Sequence, residues 1–299
     1  MPLRILLAIL FGLSSLLSNA EEVEKSEIDP DLKFEQANGP RVFLIGNSLT
    51  WDTVPSRLDG PVRWHVDCGK SLPFIFANPD KPCVKTSTLW PAALKTHRYD
   101  ILSFQTHYGS TVVEDAVTIS QWIEMQPNAR IILHTGWARA LEAVSEYVSD
   151  SDFHLDEAKM AHSPSYIEKL MARLKENFPN TEFSQTHAQE LVIRIANNVA
   201  AGEGPFEDMR DIYRDKIHMN VVTGRYLMHN AMRLAVGQPR SVVGFEKIPD
   251  DVRAYFDGHL DWLEKRRDED VTAPMPTPKA IAIAGAAKAK ADAEAAIVK

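Results

Sequence analysis

The chain has 299 residues, of which 44% are hydrophobic and 25% are charged, and this composition is typical of a globular protein with a sizeable apolar core. The formal net charge of −8 at pH 7 argues against a nucleic-acid partner, because non-specific binding depends on lysine and arginine neutralising phosphates. The length suits one domain of roughly 200–250 residues with extra segments at its ends, or two small domains.

The first twenty residues have the pattern of a secretory signal peptide. Arg4 precedes an apolar run over residues 5–17, and the small residues Ser18-Asn19-Ala20 come before an acidic stretch. A membrane anchor is the alternative, but the run is short for a bilayer span of ~20 residues. We therefore expect cleavage after Ala20, a secreted or periplasmic protein, and no stable membrane span after cleavage.

Strand-like and helix-like segments alternate after a polar tether at 21–39. Apolar runs predict strands at 41–46, 62–68, 99–106, 129–137 and, more weakly, 181–188. Helical spacing of apolar residues predicts helices at 113–125, 163–179, 188–202 and 220–237. This alternation predicts an α/β domain over 40–266, with a mostly parallel five-stranded sheet covered by helices on both faces.

Three segments stand apart from this pattern. Residues 140–162 are polar and predict an insertion or lid, and residues 245–266 predict a peripheral helix. Residues 267–299 form a low-complexity tail of alanine, lysine and proline, which we expect to be disordered or loosely helical.

The chain has two cysteines, Cys68 and Cys83. An exported protein meets an oxidising compartment, so we favour one disulfide between them over the alternative of two buried free thiols. A disulfide that closes the 15-residue loop from Cys68 to Cys83 would stabilise the fold by ~3 kcal/mol in the chain-entropy account of disulfides.

Polar and small residues follow the predicted strands. In open parallel α/β sheets, ligands bind at the carboxyl ends of the strands. The candidates at these ends are Ser48 after the first strand, Gly69 after the second, Gln105 and His107 after the third, and Trp137 and Arg139 after the fourth.

A possible partner for the serine lies late in the chain, where Asp215 precedes His218 by three residues. At this spacing a carboxylate can hold the imidazole, which can then take a proton from a serine hydroxyl. Two plainer interpretations remain. Ser48 can be a helix N-cap, a role that Asn47 and Thr50 could also fill, and the Asp215–His218 pair can belong to an ordinary surface turn.

Two motifs resemble those of the SGNH (GDSL-type) hydrolases. The stretch "FLIGNSLT" resembles their first block, and "DKIHMN" with the helix after it resembles their final D-x-x-H block, so the resemblance spans roughly residues 40–238. It implies a flavodoxin-like three-layer α/β/α fold and cofactor-free hydrolysis of esters, often acetyl esters on carbohydrates. Ser48 matches the nucleophile, His218 the base, Asp215 its orienter, and Gly69 the glycine whose N–H helps to bind the oxyanion.

The third block departs from the family pattern, because "SFQTHYGST" lacks the usual asparagine of the oxyanion hole. The resemblance implies that Gln105 supplies that amide beside the N–H groups of Ser48 and Gly69. We further expect His107, Trp137 and Arg139 to contact substrate, although a loop tryptophan can instead pack on the core.

The sequence therefore predicts an exported serine esterase that acts on an acyl ester, with an acetyl ester on a carbohydrate or related small substrate expected. The alternative is a non-catalytic carbohydrate- or wall-binding protein on the same fold, with a degenerate oxyanion hole. A second rival is a scaffold protein whose tail recruits partners. No metal is expected, because His154 lies in a stretch typical of a solvated acidic loop. Nucleotide binding is a weak interpretation, because the sequence has no GxGxxG after a strand and no GxxxxGK(S/T).

Overall fold

The computed structural model describes residues 34–140 and 163–268. Within them, five strands form one sheet in which every neighbouring pair is parallel, in the order β2-β1-β3-β4-β5. The strands are β1 Val42–Gly46, β2 Val62–Val66, β3 Ile101–Gln105, β4 Arg130–His134 and β5 Phe183–Gln185. Each lies inside a run predicted as a strand, so that part of the prediction is confirmed.

Helices connect the strands. They are α1 Ser48–Asp52, α2 Leu72–Ala77, α3 Trp90–Thr96, α4 Val112–Met125, α5 Pro164–Asn177, α6 Ala188–Ala201, α7 Gly224–Val236 and α8 Asp250–Asp268. Single 3₁₀ turns lie at Pro55–Arg57 and Met209–Ile212. The five longer helices coincide with predicted ones, whereas α1 to α3 have only five to seven residues, too few to show a helical period.

Side chains alternate between the two faces along each strand, and helices cover both faces of the fully buried central strands β1 and β3. On β1, Phe43 and Ile45 pack with α2, α3, α4 and α5, whereas Val42 and Leu44 face the opposite layer. That layer contains α7, and a larger cluster joins α1, α6, α7 and α8. The protein is thus a three-layer α/β/α sandwich, as expected.

The strand order is the flavodoxin-like one, and it reverses between β1 and β3. The carboxyl ends of these two central strands therefore border the crevice where such folds bind ligands. Ser48 follows β1 and His107 follows β3, so the topology brings two predicted site residues to this crevice.

Several sequence predictions fall outside the described residues. These are the signal peptide, most of the tether, the insertion after residue 140, and the tail after residue 268. The end of the tether stretch is described: Phe34 is buried, with its ring 5.7 Å from that of Tyr99. Over the described ranges, no helix is long and apolar enough to cross a membrane.

Cys68 and Cys83 are joined by a disulfide, with their Cα atoms 5.6 Å apart. The bridge closes a segment that contains Gly69 and the whole of α2. The loop that follows β2 is therefore covalently tied at both ends.

Candidate active site

The turn between β1 and α1 presents Ser48. Gly46 ends the strand, and a Cβ there would overlap the Thr50 hydroxyl and lie 2.7 Å from the Gln105 Cβ, so a larger residue does not fit. Asn47 is the N-cap of α1, because its Oδ1 accepts a hydrogen bond of 3.0 Å from the Leu49 N–H. Ser48 is the first residue of the helix, so its hydroxyl is not used as the cap.

The Ser48 hydroxyl instead meets His218. Their Oγ and Nε2 atoms are 2.8 Å apart, and the other ring nitrogen, Nδ1, lies 2.8 Å from Oδ2 of Asp215. Desolvation would raise the pKa of Asp215, but hydrogen bonds from the backbone N–H groups of His218 and Ile217 and from the imidazole lower it to about 2. The carboxylate is therefore ionised at neutral pH and can hold an imidazole proton on Nδ1.

The loop after β4 supports the segment that carries this pair. The indole N–H of Trp137 donates to the Ile217 carbonyl at 2.7 Å, and the Tyr213 hydroxyl donates to the Ala138 carbonyl at 2.8 Å. Trp137 has no exposed surface and belongs to the core. The expectation that Trp137 contacts substrate is therefore corrected: it packs inside and holds the His218 segment through its N–H.

Asp52 was missed by the sequence reasoning. It ends α1, four residues after Ser48, and its side chain has no exposed surface. Its Oδ2 accepts from the Met219 N–H at 2.8 Å, while Oδ1 accepts from Arg214 Nη1 at 2.9 Å and Arg225 Nη2 at 2.7 Å. An acidic residue one helical turn after the serine is the sequence signal that could have indicated it.

Gln105 lies beneath the Ser48 turn. Its Oε1 accepts from the Asn47 N–H at 3.1 Å, its amide N–H donates to the Thr106 carbonyl, and the residue has no exposed surface. In this arrangement the amide braces the turn before Ser48 and is not presented at the surface. The geometry thus differs from the oxyanion contact expected of Gln105.

Gly69 lies beside the same turn. It is exposed, with φ +67°, and a Cβ there would have no atom within 4 Å, so the space next to its backbone is open. The next residue, Lys70, accepts a 3.5 Å hydrogen bond from the Asn47 side chain through its carbonyl. This contact connects the loop after β2 to the Ser48 turn.

His107 and Arg139 lie on loops that follow β3 and β4. The half-buried His107 accepts a 3.0 Å hydrogen bond from the Gly109 N–H at Nδ1, so its neutral ring carries the proton on Nε2. Burial lowers the pKa of His107, and the charges of Arg139 and Lys70 lower it further. Arg139 is exposed, with its guanidinium 5.7 Å from the centre of the Tyr108 ring.

Within residues 34–140 and 163–268, the structure shows no cluster that could hold a metal, that is, no group of three or more histidine, cysteine, aspartate or glutamate side chains. His154, considered at the sequence level, lies outside these ranges.

Comparison with known proteins shows a shared fold. No family model matches the chain, and no curated protein matches it. A DUF4886 family protein from Bacteroides uniformis superposes with a TM-score of 0.50 at 14% identity, over 80% of this chain and 98% of its own. A candidate GDSL-like lipase from Parabacteroides merdae has a TM-score of 0.38 at 16% identity, over 67% of this chain and 97% of its own. At these identities the likeness to the first protein is one of fold.

Proposed function

We propose that this protein is an SGNH-type serine esterase with Ser48 as nucleophile, His218 as general base and Asp215 as its orienter. One observation carries the proposal: the chain of hydrogen bonds from the Ser48 hydroxyl through His218 to Asp215. The distance from Ser48 to His218 and that from His218 to Asp215 are both 2.8 Å. Residues 170 positions apart in sequence meet at the crevice between the central strands. If the Asp215–His218 pair belonged only to an ordinary surface turn, it would not need to contact Ser48.

The proposed reaction uses these contacts in order. His218 takes the hydroxyl proton as Ser48 Oγ attacks the acyl carbonyl, and the imidazolium then protonates the leaving alcohol. The ionised Asp215 holds the ring and stabilises its positive charge. Water then attacks the acyl-enzyme with His218 again as base, and the imidazolium returns the proton to Ser48 Oγ as its bond to the acyl carbon breaks and the carboxylic acid is released.

The oxyanion is proposed to be bound by the backbone N–H groups of Ser48 and Gly69. The Ser48 N–H lies in the first turn of α1, so the helix itself does not use it. The open space beside Gly69 allows a substrate to approach its backbone. Gln105 contributes by bracing the turn, and any third donor must come from another group.

For the substrate we propose an acetyl or similarly small acyl ester on a carbohydrate, reached by an exported enzyme. This choice follows the family resemblance, which is an argument by analogy. The aromatic ring of Tyr108 and the cations of Arg139 and Lys70 near His107 support a polar, hydroxyl-rich substrate. A small acyl group suits an attack site that is half-buried at Ser48.

The engagement of Gln105 by Asn47 also favours the alternative of a binding protein that has lost an oxyanion donor. Hydrolysis of p-nitrophenyl acetate separates the two, with residues 21–299 of the protein measured beside the Ser48→Ala and Ser56→Ala variants. Ser56 is an exposed serine in the nearby 3₁₀ turn and serves as the matched control.

The esterase predicts turnover by the wild type and Ser56→Ala, and loss of at least 10³-fold in Ser48→Ala. Equal rates in all three proteins would refute it. Retained binding of acetylated polysaccharide without turnover would then support the binding protein.

A further inference from the structure

We propose that Asp52 is a positioning residue for the reaction. Its buried carboxylate holds the Asp215–His218 segment against the helix that carries Ser48. This inference deepens the proposed function and rests on it.

The carboxylate contacts both flanks of the segment. Met219 directly follows His218 and donates its N–H to Oδ2 at 2.8 Å, while Arg214 directly precedes Asp215 and donates to Oδ1 at 2.9 Å. Arg214 also donates to the Met219 carbonyl at 2.6 Å, which closes a ring of contacts around the segment. Asp52 therefore fixes the backbone on either side of the proposed base and orienter.

The same residue belongs to the nucleophile helix. Ser48 is the first and Asp52 the last residue of the five-residue α1, so about 6 Å of helix separates them along its axis. Arg225 of α7 completes the arrangement, with Nε and Nη2 at 2.9 and 2.7 Å from Oδ1. One side chain thus connects the nucleophile helix, the base segment and α7.

Stability alone does not explain a carboxylate at this place. Burying an ion pair costs desolvation that its attraction often fails to recover, and an apolar side chain can fill such a site equally well. What an apolar residue cannot do is accept the Met219 N–H and orient two guanidinium groups. Placement of the His218 segment is therefore the better explanation.

Small displacements of that segment matter for the proposed chemistry. Proton transfer requires the Ser48 and His218 atoms within about 2.6–3.2 Å, and a misplacement of ~1 Å can lower the rate ~10²-fold. We expect Asp52→Asn to lower kcat about 10- to 100-fold while KM stays within about twofold. Within the part of the chain that the structure describes, the hydrogen bonds of the Asp52 carboxylate go to Arg214, Met219 and Arg225 and not to the loops after β2 and β3, which carry Gly69 and His107.

The matched control is Asp59→Asn. Asp59 pairs with Arg233 at 2.5 Å, so this variant removes another aspartate–arginine pair to α7 without touching the His218 segment. Its kcat should equal that of the wild type. All variants are assayed with p-nitrophenyl acetate below the unfolding transition, with circular dichroism as the check of folding.

Hydrogen–deuterium exchange of residues 213–220 gives a readout that does not need turnover. Exchange there should be faster in Asp52→Asn than in Asp59→Asn or the wild type. If Ser48→Ala were as active as the wild type, the proposed function would fail, and this exchange would still test the placement of the segment.

Wild-type kcat in a folded Asp52→Asn variant, or unchanged exchange over 213–220, would overturn the inference. If Asp52→Asn does not fold, Arg225→Gln decides, because it leaves the carboxylate in place and removes two of its donors. A reduced kcat at unchanged KM in that variant supports the inference, and wild-type kcat overturns it.

Discussion

Replacing Asp115 by asparagine should stabilise the protein by an amount that grows as pH rises from about 4 to about 7 and stays constant above that. Asp115 lies in the first turn of α4 and has no exposed surface. The hydroxyl of Tyr166 on α5 donates to its Oδ2 at 2.7 Å, and the side chain of Ser110 also interacts with the carboxylate. Burial raises the pKa of this carboxyl to about 7, against an ordinary value of 3.8.

The sign follows from proton linkage. Between pH 4 and 7 the folded protein holds a proton on Asp115 that the unfolded chain has released, so this residue makes stability fall as pH rises through that window. A difference of about three pKa units corresponds to an upper limit of ~4 kcal/mol. The nearby N-terminus of α4 favours the charged form by up to ~1 kcal/mol, so we expect ~2–4 kcal/mol at pH 8.5.

The wild-type curve alone cannot isolate this effect. Burial lowers the pKa of four histidines, His65, His134, His229 and His259, to about 4. The unfolded chain binds more protons at those sites between pH 4 and 6.5, so they make stability rise over nearly the same window. The informative quantity is therefore the difference between Asp115→Asn and the wild type at each pH.

Urea unfolding followed by tryptophan fluorescence at pH 4.5, 6, 7.5 and 8.5 measures that difference. The stability advantage of the asparagine variant should be small at pH 4.5, grow through pH 6 and level off above about pH 7. Glu124→Gln, at an exposed position of the same helix, controls for the loss of one charge. A difference that does not change with pH, or an asparagine variant that is less stable at pH 8.5, would refute the reasoning.

Three further predictions concern the candidate site. Reduction of the Cys68–Cys83 bridge should lower both the unfolding free energy, by ~3 kcal/mol, and turnover; unchanged turnover with free thiols confirmed by mass would contradict this. Trp137→Phe keeps an aromatic ring, although a smaller one, but removes the donor to Ile217, so kcat should fall about tenfold at constant KM, whereas a raised KM would indicate substrate contact. Gln105→Leu removes the acceptor that braces the Ser48 turn, so reaction of the serine with a fluorophosphonate should slow at least tenfold, and wild-type labelling would exclude the bracing role.

Sequence reasoning succeeded where a pattern has one physical cause. Val42 to Ile45 are apolar at every position, which suits a strand buried on both faces, and the structure buries all four. The three-residue spacing of Asp215 and His218 also carries its own geometry, because a carboxylate at that distance can reach the imidazole. The prediction that this pair contacts Ser48 came from combining two motifs that are each weak alone, "FLIGNSLT" and "DKIHMN".

It failed where one residue type suits two environments. The apolar ring of Trp137 can face a sugar or pack in the core. Its position in the core depends on the hydrogen bond from its indole N–H to the Ile217 carbonyl, which the sequence does not reveal. The side chain of Gln105, at a strand end, can point outward or inward. It points inward because its Oε1 accepts a hydrogen bond from the Asn47 N–H. The position of Asp52, one helical turn after Ser48, is a weak signal in the sequence, whereas its contact with the Met219 N–H, 167 residues later, is visible only in the structure.

The separation of 170 positions between Ser48 and His218 makes the site an indicator of complete folding. The segment that brings His218 follows all five strands in the chain, so no fragment that stops after β5 contains both residues. During refolding, fluorescence from early sheet and helix packing should therefore recover before reactivity of Ser48. The recovery of serine labelling would therefore measure the rate of the last docking step, in which the His218 segment packs onto α1.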